Sequence, residues 1–84
     1  MNSKHRRTLE IVFTDPVSAT VNWANIEGLL IAVGATVIEG RGSRVRFAFG
    51  VEAADFHRPH PSKEAKRYQV REARDFLERI GVLP

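Results

Sequence analysis

The chain contains no cysteine, so neither a disulfide nor a thiolate metal site can form. It has no long apolar run either: the longest, Leu29 to Ala35, is far short of the ~20 residues that span a bilayer. No apolar leader follows Met1, because Lys4, His5, Arg6 and Arg7 run directly into Leu9-Glu10. Neither sign of charge dominates: thirteen Lys/Arg face ten Asp/Glu, a net charge of +3. These absences lead to the expectation of a soluble, cytoplasmic protein with no membrane partner. What is present is enough for one core. With 84 residues there is room for one domain, and five Phe within an apolar fraction of 43% argue against disorder.

The basic residues are unevenly placed. Arg58, Lys63, Lys66, Arg67, Arg71 and Arg74 crowd residues 58–74 against Glu64 and Glu72, and Arg41, Arg44 and Arg46 form a second cluster. Two such clusters meeting in space attract a phosphate backbone whatever its base sequence. The competing reading is an ordinary solvated basic surface.

Periodicity predicts the elements. Leu9, Val12 and Phe13 stripe a short helix over 4–13, which Asp15-Pro16 breaks. Asn22 is placed to cap a second helix carrying Trp23, Ile26, Leu29, Leu30 and Val33 at spacings of three and four, up to Gly34. Ala35–Glu39 reads as a short strand, and Gly40 to Ser43 as a turn. Arg44–Phe49 alternates strictly, with Val45, Phe47 and Phe49 opposite Arg44, Arg46 and Ala48. A turn over Gly50–Ala53 leads to a third strand, 54–57, pairing Phe49 with Ala54, Phe47 with Phe56 and Arg46 with His57. After an irregular stretch with two prolines, a last helix over 69–80 presents Val70, Ala73, Phe76, Leu77 and Ile80 before Gly81. The expected fold is α+β: a three-stranded antiparallel sheet with helices packed on one face. The other face stays wet and carries Arg44, Arg46, Asp55 and His57, and the free sheet edges leave homo- or hetero-oligomers open.

Several stretches resemble the HicA toxins of bacterial type II toxin–antitoxin systems. They are Ile26-Glu27-Gly28-Leu29-Leu30-Ile31-Ala32-Val33-Gly34, Gly40-Arg41-Gly42-Ser43-Arg44, His57-Arg58-Pro59-His60 and the closing Gly81-Val82. The resemblance covers about residues 22–84, making residues 1–84 a single HicA-like domain with an extra N-terminal helix at about 4–13. It implies a fold like a double-stranded RNA-binding domain, ribosome-independent cleavage of mRNA, and a cognate HicB-like antitoxin that masks the site. The family motif reads Gly-Ser-His, its histidine being held responsible for cleavage. Gly42 and Ser43 match this motif, and Arg44 takes the histidine position.

Cleavage of RNA without a metal requires a 2′-hydroxyl to lose its proton, the phosphorane charge to be stabilised and the 5′-oxygen to gain a proton. Histidine suits either transfer, whereas arginine holds phosphate in a fork but stays protonated. His57, His60 and Arg44 are therefore the candidate catalytic residues, with Asp55 placed to orient His57. Arg41, Ser43, Arg46, Arg58, Lys66, Arg67, Arg71 and Arg74 are the candidate RNA contacts; Arg71 and Arg74 lie three apart on one helix face. The three histidines lack carboxylates at ligand spacing, so neither metal nor cofactor is expected. Three readings remain open: a metal-independent mRNA endonuclease toxin, a non-catalytic RNA-binding module, and a protein-interaction domain of a toxin–antitoxin-like pair.

Overall fold

A computed structural model describes all residues, Met1–Pro84. Three helices, α1 (Ser3–Val12), α2 (Trp23–Ala32) and α3 (Arg67–Arg79), accompany three strands, β1 (Thr36–Glu39), β2 (Arg44–Phe49) and β3 (Glu52–His57). The sheet is antiparallel in the order β1-β2-β3. Alternation in β2 divides it: Val45 and Phe47 are buried with Phe56 of β3, while Arg44, Arg46, Asp55 and His57 are exposed on the opposite face. One apolar core joins the buried sheet face to all three helices, as the α+β expectation requires. Trp23, Phe47 and Phe56 pack as tilted and edge-on pairs with centroids 5.0–6.3 Å apart, the offset geometry that aromatic quadrupoles favour.

The second hairpin corrects the expected register. The chain turns over Gly50-Val51 alone, so β3 begins at Glu52 and Phe49 pairs with Glu52, Phe47 with Ala54, Val45 with Phe56 and Arg44 with His57. Gly50, first in this two-residue loop, has φ +60°, the left-handed entry that glycine supplies in a II′ hairpin. Every pairing is displaced by two residues from the expected one. Because side chains alternate with a period of two, that displacement changes partners without changing faces.

Helix ends differ in smaller ways. Asn22 precedes α2, but its side chain makes no capping bond; the α1 cap is Asn2, whose Oδ1 accepts from His5 N–H at 2.8 Å. α1 is not an appendage. Thr8, Leu9 and Val12 are buried, and Arg74 of α3 donates from Nε to Val12 O, from Nη2 to Thr14 O and from Nη1 to Asp15 Oδ1. Arg74 thus supplies, from across the fold, the donors that a helix C-terminus otherwise lacks.

Candidate functional site on the open sheet face

The open face forms a concavity of about 460 Å³ between the β1–β2 turn and the β2–β3 ladder. Arg41, Arg44, Arg46, His57, Asp55 and Glu39 line it, three guanidiniums and an imidazole against two carboxylates. The turn that shapes its mouth is tight: a Cβ on Gly40 would sit 3.0 Å from the Arg44 Cβ and 3.2 Å from the Arg44 carbonyl oxygen. Gly40 N–H donates to that same carbonyl at 2.9 Å. A side chain at position 40 would therefore push against the first residue of β2.

Arg44 and His57 are directly opposite one another across the ladder. Residues so placed have neighbouring side chains on one face. Ser43 Oγ lies 3.5 Å from His57 Nδ1, a long contact whose donor depends on the tautomer. The backbone around this trio is held on both strands: Arg58 N–H donates to Ser43 O at 2.9 Å, and Gln69 Nε2 donates to His57 O at 2.7 Å. Gln69 is buried and its Oε1 accepts from Lys66 N–H at 3.0 Å.

Asp55 does not orient His57. It faces Arg46 in the register, accepting from its Nε at 2.6 Å and its Nη2 at 3.1 Å, with both side chains more than half exposed. Those bonds, followed by the charges of Arg46 and Arg44, hold the Asp55 carboxyl below the usual carboxylate range, and Asp55 in turn raises Arg46. The expected neighbour of His57 was Arg46; the corrected register makes it Arg44.

The remaining candidates divide by what already occupies them. Arg58 is structural: it donates to both oxygens of Glu27 and both of Glu39 at 2.8–3.0 Å, linking α2 and β1 to the chain leaving β3. Trp23 Nε1 donates to Glu27 Oε1 at 2.8 Å and extends the chain into the core. The carboxylates of Glu39 and Glu27 raise the Arg58 guanidinium, and its hydrogen bonds lower Glu39. Arg74 is committed to α1, so it does not pair with Arg71 over neighbouring phosphates. Arg71 is exposed. His60, Lys66 and Arg67 line a second concavity, of about 340 Å³, which shares no residue with the first. His60 is therefore not brought to His57. Arg41, Arg44, Ser43 and His57 are the candidates gathered at one place without an ion-pair partner.

Sequence reasoning missed Gln69, Glu27 and Glu39. A signal existed for Gln69: it stands three residues after the α3 cap residue, the spacing of a capping box. Nothing in the spacing announced its second bond, to His57.

The family model for the HicA toxin of bacterial toxin–antitoxin matches residues 23–82, well over half of the chain. The chain belongs to the HicA toxin family. No curated protein and no solved structure matches it. The matched span runs from the first residue of α2 to just past α3, so it includes the whole concavity and omits α1. HicA membership gives the chain a toxin role and an antitoxin as partner. No helix is long and apolar enough to cross a membrane.

Proposed function

We propose that this HicA-family chain acts on mRNA in the cytoplasm, seating the RNA backbone in the concavity on the open sheet face and cleaving it with side chains alone. The observation that carries the reading is the cross-strand pairing of Arg44 with His57, with Ser43 beside the imidazole. The motif position that the family resemblance assigns to histidine is Arg44, and His57 faces it from the neighbouring strand. The imidazole of His57 on β3 therefore overlooks the same concavity as the Arg44 side chain on β2.

In this scheme His57 takes the proton of a 2′-hydroxyl. The 2′-oxygen forms a bond to the adjacent phosphorus, the bond from phosphorus to the 5′-oxygen breaks, and the departing oxygen takes a proton from water. The products are a 2′,3′-cyclic phosphate and a free 5′-hydroxyl. Arg44, with Arg41 at the rim, holds the phosphate oxygens as negative charge accumulates, and Ser43 fixes the imidazole. The scheme calls on no metal ion. The order α2-β1-β2-β3-α3 is the frame that the resemblance likens to a double-stranded RNA-binding domain. The antitoxin, in this reading, covers the concavity.

The test is incubation of purified protein with a long unstructured RNA in the presence of a chelator. Wild type is expected to cut and to leave cyclic-phosphate ends, while His57→Gln retains RNA and does not cut. Cutting that survives in His57→Gln removes the proton-transfer scheme. A second reading is favoured by the guanidinium at the family histidine position: the same face binds RNA without cleaving it. Salt-sensitive retention with no cutting by wild type selects that reading.

A further inference from the structure

Three arginines line the concavity, but one of them is already neutralised. Arg46 and Asp55 stand opposite each other on β2 and β3 and are joined by two charge-assisted bonds, at 2.6 and 3.1 Å. Side-chain exposure is 55% for Arg46 and 62% for Asp55, so the pair is held in water, not locked in the core. Because both members stand in water, opening the pair leaves neither charge buried. Arg58, by contrast, is only 30% exposed and holds two carboxylates at once. Arg44, the cross-strand neighbour of His57, has no carboxylate partner, although its charge acts on Asp55.

We propose that Asp55 sets the RNA affinity of this face by acting as an internal competitor for Arg46, occupying the guanidinium that a phosphate would otherwise take. The inference rests on the RNA-binding reading above and adds a residue to it. In the free protein Asp55 supplies the anion at Arg46. A phosphate diester offers the same two-oxygen geometry to the same fork, so it must displace the carboxylate to bind there. With the pair closed, Arg46 and Asp55 cancel, and the attraction exerted by the concavity comes from Arg41 and Arg44.

This arrangement makes an unusual prediction about removing a positive charge. Arg46→Gln leaves the Asp55 carboxylate unmatched within the concavity and weakens binding through repulsion. Arg46→Gln/Asp55→Asn removes both members of the cancelled pair and restores the wild-type affinity. Asp55→Asn alone releases Arg46 to phosphate, so it binds more tightly than wild type.

The experiment measures fluorescence anisotropy of a labelled 2′-O-methyl oligouridylate, which cannot be cut through its 2′-oxygen, against wild type and these three variants over a series of salt concentrations. Asp55→Asn is expected to raise affinity several-fold and to steepen the plot of log K against log salt by about 0.7, the increment for one added phosphate contact on a single strand. The double variant is expected to reproduce both the affinity and the slope of wild type. Thermal melts establish that all four proteins are folded. Equal affinity and slope for wild type and Asp55→Asn overturn the competition while leaving RNA binding intact. A double variant well below wild type with a shallower slope also overturns it, because Arg46 would then already be on phosphate. Failure of every protein to retain the oligonucleotide removes RNA binding itself, and the competition with it.

Discussion

The helix layer and the open sheet face use the same side chain for opposite purposes. Arg74 and Arg58, each mostly shielded from water, commit their donors to other parts of the same chain, to carbonyls at the end of α1 and to the carboxylates of Glu27 and Glu39. On the open face, Arg41 and Arg44 have no carboxylate within ion-pair distance, and Arg46 has only an exposed one. A count of basic residues cannot tell these groups apart. The difference lies in which arginines stand close to unsatisfied acceptors of the same chain, and a guanidinium so placed is withdrawn from ligand binding.

The comparison breaks most severely if α1 is dispensable. Deleting residues 1–14 uncovers the surface that Thr8, Leu9 and Val12 bury and strands Arg74 without its carbonyls. The core is then incomplete, and the cooperative thermal transition is expected to disappear from circular dichroism; a span of 15–84 that melts sharply would show that the helix is an accessory. Next in size, Arg74→Ala is expected to cost about 2–3 kcal/mol in urea unfolding, the scale of charge-assisted hydrogen bonds lost from a largely buried group. Arg58→Ala should cost somewhat less, about 1–3 kcal/mol, because it leaves Glu27 and Glu39 facing each other but still partly in reach of water. Arg44→Ala belongs to the other class. Its unfolding free energy should move by no more than about 0.5 kcal/mol, the range for surface substitutions. Its RNA affinity should fall and its salt slope should shrink by about 0.7. An Arg44→Ala that unfolds as readily as Arg74→Ala would erase the distinction.

The smallest effect is one of acid. Glu39 and Asp55 have folded pKa values lowered by their arginine hydrogen bonds. A lowered carboxylate stabilises the fold above its unfolded pKa, about 3.9–4.3 for these residue types, and that contribution is lost as pH falls through the folded value. Melting temperature should therefore decline slightly more on acidification below about pH 4 in wild type than in Glu39→Gln/Asp55→Asn. Parallel declines would mean that these exposed pairs add nothing to stability.

Much of the fold was legible because it depends on period. Val45, Phe47 and Phe56 could be assigned to the buried face, and Arg44, Arg46, Asp55 and His57 to the open one, from alternation alone. The α3 stripe of Val70, Ala73, Phe76 and Leu77 was equally plain. Turn length was less legible: Gly50 permits a two-residue loop, but glycine also suits longer ones, and the misplaced register gave His57 the wrong arginine neighbour. The partners of Arg58 and Arg74 were not legible. A long side chain reaches acceptors 31 and 62 residues away in sequence, and no local spacing encodes that reach. His60 shows the same limit: three positions from His57 in sequence, it opens onto a different concavity.

Gln69 joins two events that would otherwise be independent. One end of its amide secures the first turn of α3, and the other tethers the carbonyl of His57. Fraying of that turn therefore loosens the backbone that carries His57, which couples the two openings. Amide exchange at the start of α3 would thus report, at a distance, how often the basic cleft loses its shape.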